Sequence, residues 1–127
     1  MILKITNKNV KFYQYMGKFF GSRIVQKETN DRIYDDPDKI WYVYINKDVS
    51  VGFVSIKDNI IKNIYAINSD YIYDLLLEVQ KDISIAPSTI TNLYLDIYQK
   101  CSFHILNNNY KNFVTICNST SRTGEAS

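Results

Sequence analysis

Two periods of apolar and polar positions run along this chain, and they divide it into short elements. Residues 1–6 alternate, with Leu3 and Ile5 on one face and Ile2 and Lys4 on the other, which predicts a strand. Val10, Tyr13, Met16, Phe19 and Phe20 recur at helical spacing. Asn7 or Asn9 is the expected cap of that helix, and Gly21-Ser22 its stop. Residues 26–39 are polar and charged, and read either as a loop or as a short helix around Thr29 to Tyr34. They close on Asp35-Asp36-Pro37-Asp38, a turn in which proline presets one dihedral angle. Three runs rich in β-branched and aromatic residues follow, at 40–45, 49–56 and 60–67. The polar turns at 46–48 and 57–59 make them an antiparallel meander.

Asn68-Ser69-Asp70 then offers caps for a helix whose apolar positions are Tyr71, Ile72, Leu75, Leu76 and Val79. Residues 83–86 predict a short strand ended by Pro87. Ser88 or Thr89 is the expected cap of a second helix, with Ile90, Leu93, Tyr94, Ile97, Tyr98 and Cys101 along one stripe. Two final strands, 103–106 and 113–116, flank the Asn107-Asn108-Asn109 turn. One domain over residues 1–117 accounts for these elements, and 118–127 is expected to be a disordered tail.

Composition narrows the classes. The chain is 46% hydrophobic and 22% charged, a globular balance. Asn, Ile, Lys and the eleven tyrosines form the residue set that AT-rich coding favours, which fits a phage or mobile-element origin. A net charge of +2 does not mark a nucleic-acid binder. Cys101, Cys117 and His104 lack further ligands at metal spacing, so no structural zinc is expected. No export signal or membrane-length apolar run is read, so a cytoplasmic location is expected and a membrane partner is not.

The order strand, helical region, three-strand meander, helix, strand, helix, two strands resembles that of the GCN5-related N-acetyltransferase superfamily. Three segments carry the likeness over roughly residues 2–117: Val49-Ser50-Val51-Gly52-Phe53-Val54-Ser55-Ile56, Asn63-Ile64-Tyr65-Ala66-Ile67, and Tyr98-Gln99-Lys100-Cys101-Ser102-Phe103. In the last of these Ser102 stands where glycine is usual. The resemblance implies an α/β (α+β) fold with a mixed, mainly antiparallel central sheet flanked by helices. It also implies acetyl-CoA as cofactor and an amine acceptor whose identity the sequence leaves open, with a nucleobase or a protein amine among the candidates. The backbone around Tyr65, Ala66, Ile67 and Asn68 would hold the cofactor, and Tyr98 would protonate the departing thiolate. Glu28 and Asp31, in the segment that usually lines the acceptor site, are the candidates for taking the amine proton.

One departure bears on that chemistry. The family's Q/R-x-x-G-x-G/A loop, whose amides cradle a pyrophosphate at a helix N-terminus, has no counterpart here. The chain passes through Asn68-Ser69-Asp70-Tyr71 directly into the helix, with no glycine between Gly52 and Gly124. Asp70 adds negative charge at that helix start, which opposes an anionic ligand. Two functions follow: a divergent N-acyltransferase with a degenerate acetyl-CoA site, or an inactive copy of the fold that binds or inhibits a host protein. A filled cleft beside Ala66 would favour the second, with Tyr71 and Tyr73 as the expected plugs. A homodimer through the sheet or terminal strands is a further option. The lysines and aromatics of the first third could instead form a nucleic-acid face, although they equally suit a solvated helix surface.

Overall fold

Sequence and structure agree most closely in the meander. In the computed structural model, which describes residues 1–118, β2 (Ile40–Asn46), β3 (Val49–Lys57) and β4 (Ile60–Ala66) pair antiparallel. β1 (Ile2–Ile5) adds at the outer edge of β2. The expected tail falls outside the described residues from position 119. The two hairpin turns are tight: Lys47 and Asp48 have φ of 51° and 65°, and Asp58 and Asn59 have 54° and 63°. Positive φ at both central residues matches the right-handed twist of the flanking strands.

A second sheet has the order β5-β7-β6, formed by β5 (Ser88–Thr91), β6 (His104–Asn107) and β7 (Phe113–Cys117). Between the meander and β5 lies α3 (Ser69–Asp82), and α4 (Leu95–Lys100) precedes β6. The fold is therefore mixed α/β, with antiparallel sheets flanked by helices, as expected.

Alternation along the strands builds two cores. Trp41, Val43, Phe53 and Tyr65 face α1 (Phe12–Met16) and α2 (Arg23–Thr29), meeting Phe12, Tyr15, Met16, Phe19 and Val25. Tyr42, Val54, Ile64 and Ala66 face the other way, against Ile72, Leu75, Leu76 and Val79 of α3 and Ile90, Val114 and Ile116 of the second sheet.

Three expectations are corrected. The helix predicted over residues 10–20 shortens to α1, and a separate α2 follows. Gly21, at φ 75°, turns the chain, and the Ser22 hydroxyl caps α2 by accepting the Val25 N–H at 3.3 Å. The strand predicted at 83–86 forms instead at 88–91. The helix predicted from Ser88 or Thr89 becomes that strand, then a 3-10 turn at Asn92–Tyr94, then α4. Helical spacing misled here because Thr89, Ile90 and Thr91 are β-branched and find partners on β7. The cap shifts to Thr91, whose hydroxyl accepts the Leu93 N–H at 3.2 Å.

The polar 30–39 segment is held by a buried lysine. Lys39 Nζ donates to Tyr34 O at 3.0 Å and to Asn63 Oδ1 at 2.9 Å. Ser55 Oγ donates to the same Asn63 oxygen at 2.8 Å, and Asn63 Nδ2 donates to Asp31 Oδ2 at 2.8 Å. Burial pushes the Lys39 ammonium below its ordinary pKa, against the pull of Asp36 and Asp31. Replacing Asn63 with Ala removes the acceptor shared by two buried donors. The variant is expected to lose about 2–3 kcal/mol of unfolding free energy, read by urea titration. Ser102, at φ 68°, sits in the left-handed region. Ser102→Gly is expected to raise stability by about 1 kcal/mol in the same assay, because the β-carbon penalty disappears.

Candidate functional site

The two sheets touch at one end and separate at the other. Asn59 O accepts the Ala86 N–H at 2.8 Å, and the Ser88 hydroxyl accepts the Ile61 N–H at 2.9 Å. Among the described residues no ladder pairs β4 with β5, which belong to different sheets and leave a wedge between them beside Ala66. Ile67 N–H turns back to Val51 O at 2.9 Å, which aims the neighbouring Ala66 N–H and C=O into the wedge. Gly52 lies opposite Ala66, and a β-carbon there would come within 2.6 Å of the Ala66 Cβ. Glycine at 52 thus lets β3 and β4 close at the residue that faces the wedge.

Tyr94 fills it. From the 3-10 turn, its hydroxyl accepts the Ala66 N–H at 3.1 Å and donates to the Ala66 C=O at 3.3 Å. One phenol thereby satisfies both polar groups of a buried residue, as the amide of a paired strand would. Burial pushes the Tyr94 hydroxyl up to about 12; the bond from Ala66 opposes that rise, and the nearby Tyr65 and Glu28 add to it.

The residues singled out from the sequence separate into three places. Tyr65, Ala66 and Glu28 gather around the wedge. Tyr65 is packed against Phe19 and Phe53, and the Glu28 charge raises the hydroxyl pKa of Tyr65 after burial has done so. Ile67 is exposed at the lip of the wedge, and Asn68 caps α3 by accepting the Asp70 N–H at 2.9 Å. Asp31 lies farther along the sheet, bound to Asn63. Tyr98 is fully buried behind Tyr94; its hydroxyl donates to Thr91 O at 2.7 Å, and burial raises its pKa well above the ordinary value. In this arrangement Tyr98 ties α4 to the end of β5 and holds its proton.

The plug is not the one the sequence suggested. Tyr71 packs on Tyr44 and accepts from Asn46, while Tyr73 is partly exposed on α3. Tyr94 was legible only as one member of an apolar stripe. The signal that marks it is Pro87 followed by Ser-Thr-Ile-Thr, which puts the helix start after residue 91 and Tyr94 in its opening turn.

Outside the wedge a groove runs between α3 and α4. Ser69, Asp70, Tyr73, Asp74, Ile97 and Lys100 line a volume of about 610 Å³. A neighbouring hollow of about 440 Å³ continues past Asp96 to Tyr94. Three carboxylates, Asp70, Asp74 and Asp96, face one cation, Lys100. At the start of α3, Asn68 already engages the Asp70 N–H through its side chain and the Tyr71 N–H through its backbone oxygen. Cys101 is buried with its thiol pushed up to about 11 by desolvation, and His104 is exposed, so the two do not form a thiolate pair.

No protein-family model and no curated protein matches the chain. Solved structures do. A domain from Methanocaldococcus jannaschii aligns at TM-score 0.53 and 10% identity, over 91% of this chain and 95% of that one. The Campylobacter jejuni N-acetyltransferase PseH, solved with acetyl coenzyme A, aligns at 0.52 and 12%, over 91% and 96%. The aminoglycoside 6'-N-acetyltransferase of Enterococcus faecium aligns at 0.50 and 12%, over 91% and 93%. At these identities the likeness establishes an acetyltransferase-like fold.

Tyr94→Phe strands the Ala66 N–H in a buried position and is expected to cost about 1–3 kcal/mol by urea titration. The pH profile carries a second signature. The Tyr94 pKa is raised from 10.0 to about 12 in the folded state, so the fold favours the neutral phenol. That contribution is complete below about pH 10 and is lost as pH rises toward 12. Wild-type stability is therefore expected to fall over this interval, and Tyr94→Phe to fall less steeply.

Proposed function

We propose that this chain acts by binding a partner, with the acyl-CoA cleft of its acetyltransferase-like framework closed by its own Tyr94. The observation that carries this reading is the pair of hydrogen bonds from one hydroxyl to both polar groups of Ala66. The backbone that would hold a cofactor's amide-bearing arm is already satisfied from within. Two further features agree with it. The α3–α4 groove is acidic, which disfavours a pyrophosphate, and the α3 N-terminus is capped by Asn68. The partner on this reading is a protein, and the chain would act on it as an inhibitor encoded by a phage or mobile element.

Acyl transfer is the second reading. Glu28 supports it: its charge raises the Tyr65 and Tyr94 pKa values, and on this reading its carboxylate takes the proton from the amine. The fold-level likeness to two N-acetyltransferases, one of them solved with acetyl coenzyme A, points the same way. On this reading Tyr94 must leave Ala66 before acetyl-CoA enters.

Calorimetry with acetyl-CoA separates the two. The closed-cleft reading expects no binding by the wild type at millimolar cofactor, and weak binding by Tyr94→Ala once the wedge opens. Micromolar binding by the wild type, worth about 8 kcal/mol, would overturn it. The next experiment would then be a search for the acceptor, with Glu28→Gln as the activity control.

A further inference from the structure

The small net charge conceals a segregation across the sheet. Residues 1–27 hold six cations, Lys4, Lys8, Lys11, Lys18, Arg23 and Lys27, and no carboxylate. Apart from Lys4, which belongs to the outer strand β1, they lie on the β1–α1 connection, α1, α2 and the chain between them, which cover one face of the meander. The opposite face carries α3, with Asp70, Asp74, Glu78 and Asp82 against Lys81, and α4, with Asp96 and Lys100. Among the described residues only Lys4 of the six forms an ion pair, with Asp82 at 3.5 Å, while Lys8, Lys11, Lys18, Arg23 and Lys27 form none. Of the carboxylates that follow in sequence, Glu28 on α2 is exposed and the next four are engaged. Asp31 accepts from Asn63, Asp35 from Tyr13, Asp36 from Lys57, and Asp38 stands 4.0 Å from the same lysine.

Two more features distinguish this face from an ordinary solvated one. Lys4, Ile5, Thr6, Lys8, Asn9 and Ile40 line a hollow of about 450 Å³, where ammonium, hydroxyl and amide groups stand beside two isoleucines. Farther along the same segment Val10, Tyr13 and Ile24 are exposed by 98%, 59% and 66%. We propose that the α1–α2 face binds a nucleic-acid backbone, with phosphate oxygens on Lys8, Lys11, Lys18, Arg23 and Lys27 and one phosphate at the Lys4–Lys8 hollow. Unpaired cations meet phosphates at little desolvation cost. An exposed tyrosine among them offers a stacking surface to an unpaired base. The hydroxyl and amide groups of the hollow can donate hydrogen bonds to a phosphate, beside the Ile5 and Ile40 side chains that also line it. This inference goes beyond the closed-cleft reading and does not depend on it, since it rests on surface cations and not on the bonds between Tyr94 and Ala66.

The test is fluorescence anisotropy with a labelled double-stranded 20-mer and a single-stranded 20-mer, at 50 and 200 mM salt. Five backbone contacts give a log–log salt slope of about −4.5 on duplex, a loss of about 500-fold between those concentrations. The combined variant Lys8→Glu, Lys11→Glu, Arg23→Glu is expected to abolish binding. A control with the same charge change elsewhere, Lys47→Glu, Lys81→Glu, Lys111→Glu, is expected to retain most of it. Circular dichroism melting keeps loss of fold distinct from loss of contact. No binding to either oligonucleotide, equal loss in the two variants, or binding only to phosphatidylserine vesicles would overturn the proposal. Acetyl-CoA calorimetry on the first variant is expected to match the wild type, so failure here leaves the closed-cleft reading standing.

Discussion

A strand that parts from its neighbour exposes peptide groups that the interior cannot leave unpaired, and the wedge between β4 and β5 is governed by that rule. Near Asn59 and Ile61 the two strands still exchange bonds, one of them through the Ser88 hydroxyl. At Ala66 they have moved apart, and a side chain must supply what a strand would. The position of Tyr94 follows from this, and so does the local architecture around it. The 3-10 turn brings the phenol to the right depth, Thr91 caps that turn, and Tyr98 ties the next helix to Thr91 from beneath.

The sheet and the first core were legible in the amino-acid order because β-branched and aromatic residues alternate there without competition from another period. The turns at 46–48 and 57–59 reinforced the reading. The region from Ile83 to Cys101 was less legible. Its apolar residues satisfy a helical stripe, yet only the last turns are helical. Spacing alone cannot decide between a helix and a strand that finds a partner twenty-odd residues later, and Thr89 pairs with Thr115. The error mattered because it hid Tyr94 among residues that merely fill a face.

Parts of the candidate site were readable and parts were not. Tyr65, Ala66 and Glu28 converge as an ordered strand end and an adjoining helix would bring them. Asp31 and Tyr98, chosen by the same resemblance, lie apart from that group, one on Asn63 and the other inside the core. No sequence pattern announces that Lys39 is buried, because its partners are the side chain of Asn63 and the carbonyl of Tyr34. Long-range polar pairing of this kind leaves no periodic trace, and it is what orders the polar segment ahead of β2.

The tight turns of this chain lean little on glycine. Among the described residues, six other than glycine hold positive φ: Asn30, Lys47, Asp48, Asp58, Asn59 and Ser102. Of the described glycines only Gly21 does so. Asn and Asp tolerate that region best, and they hold four of the six positions. Turns carried by side chains rather than by glycine leave the unfolded chain less freedom to lose, in exchange for a small strain spread over the loops.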